Sequence, residues 1–210
     1  MRYRRIPNET VRRLPLYLRC LLLLSQNGNK SVSSEGLARI ANVNAWQIRK
    51  DFSYFGGFGI RGFGYDIGNL TGQIRKILRL DAVHNAVLVG VGNLGSALLA
   101  YPGFKTYGFR IVAAFDNDSG KIGKKVGDVK IEDARRIGML KPKCVTLAII
   151  AVPAAAAQQA VDSLVEAGVK GILNFSPVHI TVPKKIKVIT IDIATELARL
   201  PYYIPSGGKE

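Results

Sequence analysis

The stretch that most constrains this chain is Gly90-Val91-Gly92-Asn93-Leu94-Gly95, because of what surrounds it. The glycine spacing alone is weak, since any glycine-rich turn can match it. Here it closes an apolar run, Ala86-Val-Leu-Val, and opens a helix-forming stretch, while Asp116 stands 21 residues beyond Gly95 at the end of the next apolar run. Strand, glycine turn, helix, strand and acid make up the pattern of a dinucleotide-binding unit. Gly90 allows the tight turn, Gly92 lets backbone approach a pyrophosphate, and Gly95 permits close packing of helix on strand. The amides and dipole at the helix N-terminus then hold the diphosphate without a lysine. Asp116 suits the adenosine ribose hydroxyls and repels a 2'-phosphate, which favours NAD(H) over NADP(H); Lys121, Lys124 and Lys125 work against that discrimination. A domain of this pattern that holds another nucleotide, or none, is the alternative, because fold alone fixes no function.

The residues that follow extend the same pattern. Apolar runs predict strands at 111–115, 145–152, 170–174 and 188–193, and helical spacing predicts helices at about 131–138 and 154–167. Such alternation implies a mostly parallel sheet covered on both faces, a Rossmann-like doubly wound α/β domain over residues 81–194. Val152 and Pro153, at the end of a predicted strand, and Tyr101, at the end of the helix after the glycine turn, join Gly90 to Gly95 and Asp116 as candidate cofactor-binding residues.

Before about residue 80 the pattern is different. Leu14, Tyr17, Leu18 and Leu21 share one helix face, with Arg19 on the opposite side. Ser33-Ser34-Glu35 reads as a helix start, Asn42 to Asn44 as a polar break, and 45–55 as a third helix with Ala45, Ile48, Phe52 and Phe55 behind. The front of that helix points through Lys50, flanked by Trp46, Gln47, Ser53 and Tyr54. Residues 56–67, rich in glycine and aromatic side chains around Arg61, read as a twisted hairpin, and a further helix follows from Ile67. That order is the order of a winged helix-turn-helix, expected over residues 1–80. These 80 residues hold 14 Lys plus Arg against 4 Asp plus Glu, two-thirds of the chain's net +15. So basic a unit attracts a polyanion. For double-stranded DNA, Gln47, Lys50, Ser53 and Tyr54 are expected to face the major groove, Arg49 to reach phosphate or base, and Arg61 to enter the neighbouring minor groove. Trp46 fits core packing and base contact equally. Two such helices spaced about 34 Å apart in a homodimer would read the half-sites of a palindromic operator.

Other classes find less support. A dehydrogenase needs a substrate site and a proton donor or acceptor at the nicotinamide. His84 precedes the first strand, away from the crevice at strand C-termini, and His179 follows a strand alone. The residues beyond about 80 complete a dinucleotide fold and leave no substrate domain, so binding without turnover is the reading. A CoA-binding protein and a purely architectural DNA protein remain as rivals that would ignore nicotinamide. No apolar run reaches the roughly 18 residues of a membrane span, and no secretory signal is evident, so a cytoplasmic protein without membrane contact is expected. Cys20 and Cys144 lack metal-ligand spacing and both read as core.

The chain resembles the Rex family of bacterial redox-sensing repressors over nearly its whole length. The stretches that carry this are Arg13-Leu-Pro-Leu-Tyr17, Ser33-Ser34, Ile48-Arg-Lys-Asp-Phe-Ser-Tyr-Phe-Gly56, Gly62-Phe-Gly-Tyr65, Val89 to Ala97, Tyr101-Pro-Gly-Phe104, Gly171-Ile-Leu-Asn-Phe175 and Ile191-Asp192. The resemblance implies that NADH, with NAD+ as competitor, controls operator binding at genes of respiration and fermentation. It implies a dimer in which the C-terminal segment, 195–210, of one subunit lodges between the domains of the other. It also implies an interdomain cluster of Arg19, Tyr101 and Asp192 that responds to the nicotinamide. One departure concerns the chain end: Pro201 and Pro205 cannot sit inside a continuous helix, so the terminal helix is expected to be short, kinked or finished near Leu200.

Overall fold

The computed structural model describes residues 6–60, 62–140 and 144–204. The chain divides after Ala82 into two units.

The N-terminal unit opens with α1 (Asn8–Gln26), which buries Leu14, Tyr17, Leu18 and Leu21 along one face. Pro15 lies within this helix, where its missing N–H leaves the carbonyl four residues back without a partner. Pro15 and Val11 are both exposed, so water can take that carbonyl. A two-residue strand β1 (Ser31–Val32) leads to α2 (Ser34–Ala41), capped by the Ser33 hydroxyl, which accepts from the Gly36 amide at 3.0 Å. Asn42 ends α2 in the left-handed region, φ 50°, a conformation asparagine tolerates better than most. After this tight turn α3 (Ala45–Ser53) starts under the Asn44 side chain, which accepts from the Trp46 amide at 2.8 Å. The glycine-rich segment returns to strand β2 (Tyr65–Asp66), antiparallel to β1, and α4 (Ile67–Ile77) closes the unit. An aromatic cluster fixes the glycine-rich segment to α3: Phe52 of α3 meets Tyr17, Phe58 and Tyr65 edge to face, with centroids 5.3–5.5 Å apart. The pairing of β2 with β1 was not legible beforehand, since two residues carry no period.

The second unit is a seven-stranded sheet in the order β5-β6-β4-β3-β7-β8-β9, parallel except for the edge strand β5. The strands are β3 (His84–Val89), β4 (Phe109–Asp116), β5 (Lys125–Val126), β6 (Val129–Asp133), β7 (Leu147–Ile150), β8 (Gly171–Asn174) and β9 (Lys187–Thr190). The two-residue alternation of β3 sends Val87 and Val89 to one face and Leu88 to the other. On the first face Ala157, Val161 and Leu164 of α7 (Ala154–Glu166) cover the sheet; on the second lie Leu98 and Leu99 of α5 (Asn93–Ala100) and Phe104 of α6 (Gly103–Thr106). The chain ends in α8 (Ile193–Ala198) and a 3-10 turn, Leu200–Tyr203, that takes up Pro201. The terminal helix α8 is thus short, ending at Ala198 ahead of Leu200, and Pro205 lies outside the described residues.

Two expectations fail. The helix expected at 131–138 is absent: Val129 and Ile131 belong to β6, where Ile131 pairs with Ala114, and only a 3-10 turn, Ala134–Met139, follows. Pairing with β4 outweighed the helical spacing. Cys144 is exposed, not core, because burial begins one residue later at Val145; Cys20 is buried as expected.

Candidate functional site

The crevice lies where the sheet order reverses, between the C-terminal ends of β3 and β7, the usual ligand position in open α/β sheets. Gly90 turns the chain with φ +93°, and a Cβ there would stand 2.5 Å from the Ala151 carbonyl oxygen. Only glycine satisfies both conditions. Gly95, on the first turn of α5, is buried, and a Cβ on it would collide with the Gly90 carbonyl. A Cβ added to Gly92, at the N-cap of α5, would meet nothing within 4 Å, so that side of the backbone is open to a ligand. The first amides of α5, at Asn93 and Leu94, have no acceptor within the helix. Diphosphate oxygens fit this cradle.

Asp116 ends β4 and is only 7% exposed. Its Oδ2 accepts from the Val91 amide at 2.7 Å and its Oδ1 from the Asp118 amide at 2.9 Å, with Lys121 Nζ at 3.3 Å. Burial pushes this carboxyl up, but the Asp118 and Val91 amides and Lys121 outweigh burial and hold it below the ordinary carboxylate range. A fixed negative charge therefore stands at the end of β4 beside the glycine turn. Lys121 also reaches Asp118, at 3.6 Å, so the lysine that opposes phosphate discrimination is partly neutralised. Val152 and Pro153 follow β7; the Val152 carbonyl accepts from Ser176 Oγ at 2.6 Å and its side chain abuts Gly90. Tyr101 caps the C-terminus of α5, half exposed, its ring edge-on to Phe104 at 5.3 Å.

On α3 the buried face carries Ile48, Asp51 and Phe52, and the exposed stripe is Trp46, Arg49, Lys50 and Ser53. Gln47 lies to the side, its amide donating to Asp51 Oδ1 at 2.9 Å, and Tyr54 is half-buried at the C-cap. Arg49 Nη1 donates to Ser34 Oγ and Glu35 Oε1, both at 2.8 Å. Ser53 Oγ donates to the Lys50 carbonyl at 2.7 Å. Lys50 Nζ sits 4.7 Å over the Trp46 ring. Arg61 lies outside the described residues. Of the remaining candidates, Arg19 is exposed on α1, and Asp192 caps α8, accepting from the Ala194 and Thr195 amides and the Thr195 hydroxyl.

Sequence reasoning missed Asp51. This fully buried carboxylate accepts from Thr10 Oγ1 at 2.9 Å, Arg13 Nε at 2.6 Å, Arg13 Nη2 at 2.8 Å, Tyr17 Oη at 2.7 Å and Gln47 Nε2 at 2.9 Å. Burial pushes its carboxyl up; Arg13, Tyr17, Thr10 and Gln47 overcome that and leave it at about 2. The cluster joins α1 to the recognition helix. No local signal marked it: Asp51 stands between Lys50 and Phe52 in the sequence, and the partners that bury it lie mostly on α1.

A winged helix with a basic third helix, joined to a dinucleotide-binding domain, defines the class of nucleotide-binding transcription regulators. Residues 5–53 match the family model described as putative DNA-binding protein N-terminus, and 81–178 match the CoA binding domain model. The redox-sensing transcriptional repressor Rex of Lactobacillus acidophilus is 43% identical over 96% of this chain and 96% of its own. That of Chloroflexus aggregans is 47% identical over 94% of each. Among solved structures, RSP in complex with β-NAD+ and operator DNA superposes with a TM-score of 0.88 at 34% identity, covering 95% of this chain and 93% of that one. RSP in complex with β-NADH gives 0.85 at 33% identity, with 94% and 93% covered. The chain belongs to the Rex family of redox-sensing transcriptional repressors, not to an enzyme family. No described helix is long and apolar enough to cross a membrane.

Proposed function

We propose that this protein is a cytoplasmic homodimeric repressor that binds a palindromic operator through α3 and the wing, and that NADH, in competition with NAD+, releases it from genes of respiration and fermentation. The observation that carries the reading is the coexistence, in one chain, of an exposed basic recognition helix and a glycine cradle with a charged Asp116 beside it. In this reading residues 1–80 bind DNA, 81–194 bind the dinucleotide, and 195–210 are exchanged between subunits. Supporting exchange, the segment from Ile193 to Ile204 leaves Ile193, Leu197, Leu200, Tyr202, Tyr203 and Ile204 more than half exposed. So many apolar side chains in twelve residues suit a covered interface.

Gly90 to Gly95 hold the diphosphate, Asp116 accepts from the adenosine ribose, and Val152 and Pro153 border the crevice toward the nicotinamide half. These contacts are common to both redox states. NAD+ and NADH differ by one positive charge and by ring planarity, so discrimination falls to Tyr101, Asp192 and Arg19. An Arg19–Asp192 ion pair holds the DNA-competent arrangement, and NADH favours the other. Linkage requires that DNA weaken NADH binding by the same factor by which NADH weakens DNA binding.

Fluorescence titration with NADH, NAD+, NADPH and CoA, repeated with operator present, tests this. Tight NADH, weaker NAD+, negligible CoA and a reciprocal loss of NADH affinity on DNA are expected. CoA binding in preference to NADH, or NADH affinity indifferent to DNA, would refute it.

A further inference from the structure

The stripe of α3 that faces away from the N-terminal core holds four exposed side chains, and two of them are already committed within the protein. Arg49 is held to Ser34 and Glu35 through Nη1, and the Ser53 hydroxyl donates to its own helix. Gln47, beside the stripe, is held by Asp51. What remains presented is Trp46, 57% exposed, with the Lys50 ammonium 4.7 Å over its ring one turn further on. A solitary exposed apolar side chain is ordinary on a protein surface and means little by itself. Its position is what matters. Trp46 is the second residue of the recognition helix, and it is the N-terminal residues of such a helix that reach base edges in the major groove.

Chemistry narrows the target. The indole faces of Trp46 can neither accept nor donate strongly, so what they read in the major groove is the apolar group there, the C5-methyl of thymine. Lys50, held against the ring by cation–π attraction, brings a donor next to that apolar surface, suited to the O4 of the same thymine or the O6 and N7 of a neighbouring guanine. We propose that Trp46 is a sequence-reading residue of this protein, which recognises a thymine methyl in each operator half-site and positions Lys50 for the adjacent acceptor. The proposal rests on the DNA-binding reading above and adds the base it reads.

Trp46 is the chain's single tryptophan, so its fluorescence reports on this contact alone. The experiment takes the full-length protein and the best duplex it selects from a randomised library at one fixed salt concentration. Each thymine of that duplex is then replaced in turn by uracil, which removes only the methyl. Binding should quench Trp46, and uracil at one position per half-site should weaken the parent about fourfold for each methyl, the value of one buried methyl group. Trp46→Ala should bind about tenfold more weakly, within the range of a base contact, and be indifferent to uracil there. Trp46→Phe, which keeps a ring, should retain part of the affinity and the uracil sensitivity; it carries the test should the alanine variant fail to fold. Equal uracil profiles in parent and Trp46→Ala would overturn the proposal, whether or not affinity fell, because the indole would then touch sugar and phosphate only. An unquenched tryptophan in the bound complex would also overturn it. If the parent selects no preferred duplex, the DNA-binding reading fails first, before any variant is made.

Discussion

Replacing Asp51 by Asn changes little in shape and much in chemistry, because all five hydrogen bonds to Asp51 come from donors. Asparagine offers one accepting oxygen where aspartate offers two. With that oxygen at the Oδ1 position, the new NH2 confronts Arg13 Nε and Tyr17 Oη, which stand 2.6 and 2.7 Å from Oδ2. The tyrosine hydroxyl can turn and accept; Arg13 Nε cannot. Breaking a buried pair costs roughly 3–5 kcal/mol, and Arg13, 26% exposed, can recover part by turning to water. We expect a loss of about 3 kcal/mol from the N-terminal unit, a large part of a typical domain's 5–15 kcal/mol. Hydrogen exchange of the α1 and α3 amides in the full chain reads this unit separately from the other. Acid supplies an independent check. A carboxyl held at about 2 in the fold and ordinary when unfolded stabilises the fold fully above the unfolded value. That contribution, about 2 kcal/mol, fades as pH falls from about 4 toward 2, and Asp51→Asn should lack it. A variant within about 0.5 kcal/mol of the parent, or one with an unchanged acid limb in these amides, would refute the cluster's role.

Gly95→Ala forces a Cβ against the Gly90 carbonyl, so the cradle must open; NADH affinity by nicotinamide fluorescence should fall more than about tenfold, and an unchanged value would count against the cradle. Asp116→Ala removes the proposed ribose acceptor, which should weaken NADH by about 10- to 150-fold while narrowing the gap to NADPH, both read by titration. A thiol reagent should modify Cys144 at once and Cys20 only on denaturation, since one is exposed and the other buried with its thiol pushed up by burial; two fast thiols would contradict the burial of Cys20.

What could be read from the sequence depended on whether a feature announces itself locally. The glycine turn does: Gly90 and Gly95 are required by backbone collisions within a few residues, and Asp116 by the length of one βα unit. The fold class followed from alternating strands and helices, and the apolar back of α3 from its helical spacing. Features made by distant partners were silent. Asp51 owes its burial to α1, some 38 residues away from it at Arg13, and the two-residue strands β1 and β2 exist only as each other's partner. Ile131 reads as helical until β4 lies beside it. Trp46 could not be assigned for a similar reason, since a helical wheel places it in front but cannot say whether another element covers that front.

Asp192 offers a way to separate two jobs that one carboxylate performs in the proposed switch. In this structure it is the N-cap of α8, with Oδ1 accepting from the Ala194 and Thr195 amides and Oδ2 from Thr195 Oγ1. The Thr195 hydroxyl and amide hold it below the ordinary carboxylate range, so it is charged at neutral pH. A carboxylate has about four accepting sites and three are taken, which leaves room for one hydrogen bond from Arg19 without uncapping the helix. A bidentate pair with Arg19 would need the cap to open, at about 1 kcal/mol. Asparagine caps helices as well as aspartate does but carries no charge. Asp192→Asn should therefore leave exchange of the α8 amides unchanged and abolish most of the coupling between NADH and operator, typically about 1–3 kcal/mol. Asp192→Ala should lose both, fraying α8 as well. If Asp192→Asn keeps full coupling while Asp192→Ala loses it, then Asp192 acts through the order of α8 and not through Arg19, and the ion pair is not the switch.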